Sequence, residues 1–180
     1  MQNNNYLVWI DLEMTGLSVE NDTILEIATI ITDNSLRIVA EGPHLVIHHS
    51  DAALSEMDQW CIIQHGKSGL TEAVKKSKVT LEEAEQKTVD FLNQYCLPKS
   101  APLCGNSVYQ DRNFLRKYMP SVDQYLHYRI IDVTSVKECV RRWYPNNPAT
   151  EFKKSDSHRA LDDIKESINE LAHYRTNFFK

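Results

Sequence analysis

A continuous apolar run, Tyr6-Leu7-Val8-Trp9-Ile10, stops abruptly at the acid pair Asp11 and Glu13. An apolar run without alternation fits a strand covered on both faces. It therefore calls for a sheet with helices packed on it. Two further strand-like runs follow at 24–32 and 37–48, making an opening meander, and Gly42-Pro43 predicts a bulge or edge position in the third. From Ala52 the periodicity turns helical. Thr80 and Glu83 form a capping box for a helix over 80–95 that Pro98 ends. Residues 103–105 read as a short strand and 107–118 as a helix stopped by Pro120. Residues 128–133 read as a fifth strand leading into a helix to about Trp143, 145–155 as a loop, and 157–174 as a last helix. Strands first, then helices alternating with strands, predict an α/β fold with a mixed five-stranded sheet flanked by helices.

No repeat or interdomain linker interrupts this pattern, and 180 residues suit one domain. With 42% hydrophobic residues, 5 Gly and 6 Pro, the composition excludes disordered and collagen-like chains. The formal charge of −5 speaks against a long basic track along duplex nucleic acid. Cys61, Cys96, Cys104 and Cys139 are scattered among apolar or small neighbours, as buried free thiols rather than a zinc site or a disulfide frame. The polar start Met1-Gln2-Asn3-Asn4-Asn5 carries no signal-peptide pattern, and the early apolar run is too short to span a bilayer. A cytoplasmic protein without membrane association is expected.

Asp11 and Glu13, at spacing i, i+2, put both carboxylates on one face of a strand. Such a tripeptide is equally the solvated end of any strand. Asp111 adds weight, because it shares a helix face with Val108, Phe114 and Leu115. A charge on an apolar stripe is costly unless paired or bound to metal. The plainer alternative is an acid favoured by the first-turn dipole, with Asn106 or Ser107 as the N-cap. On the last helix Ile164 centres the buried stripe, so Asp162 faces solvent and Asp163 borders the stripe. His158 precedes them, either as a cap neighbour or as a catalyst. Together these acids form an oxygen-rich set suited to Mg²⁺ or Mn²⁺, with a histidine able to act as general base on water. Two such ions can drive phosphodiester hydrolysis. His48-His49 is not a metal pair, since adjacent strand residues face opposite sides.

Taken with their neighbours, these residues make the chain closely resemble the oligoribonuclease family, in the DEDDh branch of 3′-to-5′ exonucleases. The matching stretches are Trp9 to Leu17, Ile24 to Ala28, Trp60-Cys61 with His65, Ser68-Gly69-Leu70, Gly105-Asn106-Ser107, Gln110-Asp111-Arg112, Tyr128-Arg129, Asp132-Val133 and His158 to Ile164. They cover nearly the whole chain in order. The resemblance implies an RNase H-like fold and a single exonuclease domain over 1–180, with a core of about 6–175. It implies a hydrolase of RNA degradation that cuts very short RNAs, notably 5′-phosphorylated dinucleotides, to mononucleotides. Asp11, Glu13, Asp111 and Asp163 would bind two divalent cations, with His158 as general base and Tyr128 also catalytic. Leu17 would wedge against a base, while Trp60, His65 and Tyr128 offer flat surfaces for stacking. Ser107, Arg129, Thr134 and Ser135 would cap the substrate's 5′ phosphate. Thr134 stands where the family more often has Ser, and it keeps the hydroxyl. The family is homodimeric, so Tyr128 and Arg129 are expected to reach the partner subunit's site.

Two other classes stay open on the sequence alone. One is a broader exonuclease on single-stranded DNA or RNA, the other an RNase H-like scaffold that binds without chemistry. A scaffold would be expected to have lost an acid, and none is lost here. The charge also changes meaning. The four acids account for all but one of the net negative charges, so acidity limits the length of the partner rather than excluding nucleic acid.

Overall fold

The computed structural model describes residues 5–153 and 159–179. Its strands are β1 (Leu7–Met14), β2 (Ile24–Thr32), β3 (Ile38–Val46), β4 (Pro102–Gly105) and β5 (His127–Asp132), in the order β3-β2-β1-β4-β5. The β1–β2 and β2–β3 pairs are antiparallel, whereas β1–β4 and β4–β5 are parallel. The expected bulge is present: β3 skips both Gly42 and Pro43 where β2 skips one residue, between His44↔Ala28 and Glu41↔Ile30. Gly42 also makes room for a helix, because a Cβ there would lie 2.4 Å from the Phe91 ring.

Three short helices, α1 (Asp51–Ser55), α2 (Gln59–Lys67) and α3 (Leu70–Lys76), lead to α4 (Leu81–Tyr95), which starts on the predicted Thr80–Glu83 capping box. Then come α5 (Tyr109–Tyr118), α6 (Pro120–Tyr125), α7 (Val133–Trp143), a 3-10 turn at Pro148–Thr150 and α8 (Ala160–Phe178). Pro120 does end the preceding helix, but it also opens α6, for which a fixed φ and a missing N–H are favourable at the first position. Neither Asn106 nor Ser107 caps α5. Its N-cap is Val108, because both polar side chains are engaged elsewhere.

Alternation along β1 divides the core. Val8, Ile10 and Leu12 join the cluster under α4, α5 and α6, while Trp9 faces the opposite cluster with Ile164, Ile168 and Tyr174 of α8. Asp11 and Glu13 continue the Trp9 side of the strand, so they face the start of α8. β1 pairs with β4 only at Val8↔Leu103 and Trp9↔Cys104. Beyond that point the pairing ends, at the carboxyl ends of two parallel strands, where α/β sheets commonly bind ligands. No helix among the described residues is long and apolar enough to cross a membrane.

Candidate active site

Asp11, Glu13 and Asp163 each present a carboxylate oxygen, and these atoms lie within 4.8 Å of one another. The strand supplies two of them by its two-residue period, and the first turn of α8 supplies the third. Asp162, one step round the helix, lies outside this cluster. Asp111 comes from α5 and is 6% exposed. Its Oδ1 accepts a 3.0 Å hydrogen bond from the Leu12 amide, beyond the point where β1 and β4 separate.

Burial and mutual repulsion raise the acids. Asp11 is pushed well above the carboxylate range by burial and by the charges of Asp111, Glu13 and Asp163. Burial, then Asp163 and Glu26, lift Glu13 to about 8. Burial lifts Asp111 to about 7 against the opposing bond from Leu12. Carboxylates gathered in this way need protons or cations between them. An all-oxygen donor set of this spacing fits a hard divalent ion.

Glu26, opposite Glu13 in the ladder, is fully buried yet behaves differently. Burial alone would raise it, but hydrogen bonds from His44, Arg159 and the Ala160 amide hold it at about 2. This ionised acid fastens the entry of α8 to the sheet, 2.6 Å from Arg159. Neither Glu26 nor Arg159 shows a role of its own in the sequence, where an acid within an Ile-rich strand is the one visible signal. His158, expected as general base, lies outside the described residues.

Beside Glu13 a cavity of about 420 Å³ opens between Leu17 and Trp60. Leu17 is 71% and Trp60 57% exposed, so both offer apolar surface to a base. His65 is placed differently from the sequence expectation of a stacking face. It is 1% exposed, bonded through Nε2 to the Met14 carbonyl at 2.8 Å, with Nδ1 3.8 Å from Glu13. It forms part of the cavity wall rather than an open platform. His48 and His49 are occupied by backbone carbonyls of Val74 and Ile24.

Ser107 and Thr134 come together at the same end of the sheet, and Ser135 follows Thr134 in the first turn of α7. Ser107 adopts φ 49°, and its amide donates to Asp132 Oδ1 and Thr134 Oγ1, both at 3.0 Å. Thr134 donates its own proton inward to Asn106 Oδ1 at 3.1 Å. Asn106 in turn donates to Ser167 and to buried Glu170 on α8. The exposed hydroxyls of the group are thus Ser107 and Ser135. Asn106 and Glu170 support them from behind, a role that nothing in their local sequence reveals.

Tyr128 and Arg129 are not brought to the carboxylates within one chain. They lie near the start of β5, at the level of Pro102, whereas the acids lie past the end of β4. Tyr128 is 72% exposed, with the Arg129 guanidinium 5.3 Å from its ring.

Comparison with known proteins agrees with this geometry. The chain matches the family model for Exonuclease (RNase T) over residues 8–171. It is 55% identical to an oligoribonuclease of Marinobacter nauticus, over 100% of this chain and 99% of that one. It is 56% identical to the mitochondrial oligoribonuclease of Homo sapiens, over 97% of this chain and 73% of that one. In fold it resembles E. coli exonuclease I crystallised with single-stranded DNA and zinc, at TM-score 0.75 and 16% identity over 99% of this chain. The exonuclease I of Methylocaldum szegediense gives a TM-score of 0.73 at 17% identity, over 97% of this chain. The chain spans 41% of the length of those two exonucleases, and the likeness establishes a common fold. Acids from β1, α5 and α8 at the open end of an exonuclease-type sheet, and more than half of the residues shared over the full length, place this chain in the oligoribonuclease family of exonucleases.

Proposed function

We propose that the protein is a metal-dependent 3′-to-5′ exoribonuclease that hydrolyses very short RNAs, above all 5′-phosphorylated dinucleotides, to nucleoside monophosphates. The observation that carries this reading is the clustering of Asp11, Glu13 and Asp163 oxygens within 4.8 Å beside a small cavity walled by Leu17 and Trp60. With Asp111, these residues would hold two Mg²⁺ or Mn²⁺ ions. When bound, such ions supply an activated water and stabilise the leaving oxygen of the phosphodiester.

The chain's own groups set the rest. Leu17 and Trp60 hold the 3′ base by apolar contact that any base satisfies. Ser107 and Ser135, positioned by Thr134, receive the 5′ phosphate and close the site against longer chains. His158 takes the proton from the attacking water. We read residues 1–180 as one exonuclease domain that acts as a homodimer, in which Tyr128 and Arg129 complete the partner subunit's site. Their exposure on the edge strand β5 supports that role. The four free cysteines, three of them buried, support a reducing cytoplasmic setting.

The test is a rate series with Mg²⁺ on 5′-phosphorylated RNAs from dinucleotides to long strands. Dinucleotides should be cut fastest, and Asp11→Ala should abolish cutting. Equal or faster cutting of long RNA or single-stranded DNA would replace this reading by that of a broader exonuclease.

A further inference from the structure

The loop over 15–23 carries Leu17 on its outgoing limb, just before the turn closed by the Asn21 and Asp22 amides on the Ser18 carbonyl, and its base is braced internally. Asp22 accepts from the Thr15 hydroxyl and the Ser18 amide, both at 2.8 Å, and the Thr15 amide donates to the Thr23 carbonyl at 3.0 Å. These bonds fix the neck of the loop. The rest of the loop is held from α5: Lys117 donates to the Val19 and Glu20 carbonyls, Tyr118 donates to the Asp22 carbonyl, and Gln110 Nε2 donates to the Leu17 carbonyl at 2.6 Å. Gln110 and Asp111 are consecutive on α5, about 100° apart around the helix. One therefore grips the Leu17 loop while the other caps the Leu12 amide of β1. A single helical turn ties the apolar wall of the cavity to the carboxylate site.

From this geometry we infer that Gln110 is a positioning residue for substrate. It touches no reacting atom, but it fixes the stance of the Leu17 side chain relative to Asp111, and so the distance between the base-holding wall and the scissile phosphate. This rests on the reading of Leu17 as a substrate wall and adds the group that sets it. An apolar side chain 71% exposed has little packing of its own to hold it, and Lys117 and Tyr118 hold the loop beyond it, so the backbone bond at Leu17 itself is the contact from α5 that adjusts its stance. A two-residue substrate makes few contacts in total, and misplacement of one wall is felt directly in binding.

The experiment measures KM and kcat for a 5′-phosphorylated diribonucleotide with Mg²⁺ in wild type, Gln110→Met, Gln110→Lys, Leu17→Ala and the double variant Leu17→Ala/Gln110→Met. Met matches the length of Gln but lacks the donor, while Lys keeps a donor of similar reach. Q110M is expected to raise KM about fivefold, the loss of one hydrogen bond, with kcat within about twofold. Q110K should hold the wild-type KM, and Q110M should add nothing once Leu17 is removed. An unchanged KM in Q110M, a Q110K as weak as Q110M, or full additivity with Leu17→Ala would overturn the inference while leaving the proposed activity intact. A wild-type protein inert on the dinucleotide would overturn the activity itself, and the inference with it.

Discussion

Asp162 and Asp163 differ by one helical step, and that step separates an acid outside the cluster from one within 4.8 Å of Asp11 and Glu13. Replacing Asp163 by Asn should lower dinucleotide hydrolysis by at least about 100-fold, because it removes a charged donor from the cluster. Replacing Asp162 by Asn should change it by less than about twofold. Steady-state rates of the two variants, measured side by side, check both. An Asp162→Asn as damaged as Asp163→Asn would show that the helix presents a different face. This distinction is legible in the sequence because the period of a helix is local and its apolar stripe is well marked. The place of His65 is not. Its partner is the Met14 carbonyl, 51 residues earlier, and nothing around His65 signals that approach. The same holds for Asn106, whose partners Ser167 and Glu170 lie on the last helix.

At the level of elements, the difference between local and distant causes recurs. The start of α4 can be read from Thr80 and Glu83 because a capping box is complete within four residues. Thr80→Ala should cost about 1 kcal/mol of stability, seen as a lower urea midpoint, with the dinucleotide rate unchanged. The loop carrying Leu17 is recognisable in the sequence only as a break after β1. Its form depends on α5, through Gln110, Lys117 and Tyr118, the last donating to the Asp22 carbonyl. Gly16 is required there by close approach, since a Cβ would lie 2.5 Å from Asp22 Oδ2. Gly16→Ala must displace that carboxylate from Thr15 and Ser18, costing about 1–3 kcal/mol and raising KM for the dinucleotide. Stability and KM changing together in Gly16→Ala, but stability alone in Thr80→Ala, would confirm that the loop is part of the site and the cap is not.

For the whole molecule, four of the 25 acidic residues are gathered where the chain can least tolerate their charge without cations. Glu13, raised from 4.5 to about 8, and Asp111, raised from 3.8 to about 7, bind more protons folded than unfolded between those values. The metal-free fold therefore loses stability as pH rises through that window. Glu26 has the opposite sign. Held at about 2, it contributes stability that is fully present above its ordinary 4.5 and is lost as pH falls through 2. Chelated protein is thus expected to be most stable at about pH 4, where the gain from Glu26 gives way to the losses from Asp111 and Glu13. A tenfold change in a group's proton affinity on folding is worth about 1.4 kcal/mol, so at about pH 8 the melting temperature should be lower by on the order of 10 °C. Mg²⁺ should reverse this, and by more at about pH 8 than at about pH 5.5, because fewer protons must leave before the ion can bind. Melting curves at both pH values, with chelator and with Mg²⁺, decide the point. A flat profile in chelator, or an equal Mg²⁺ effect on melting at both, would mean that the acids are not held together as a cation site and that their charge is dispersed in solvent.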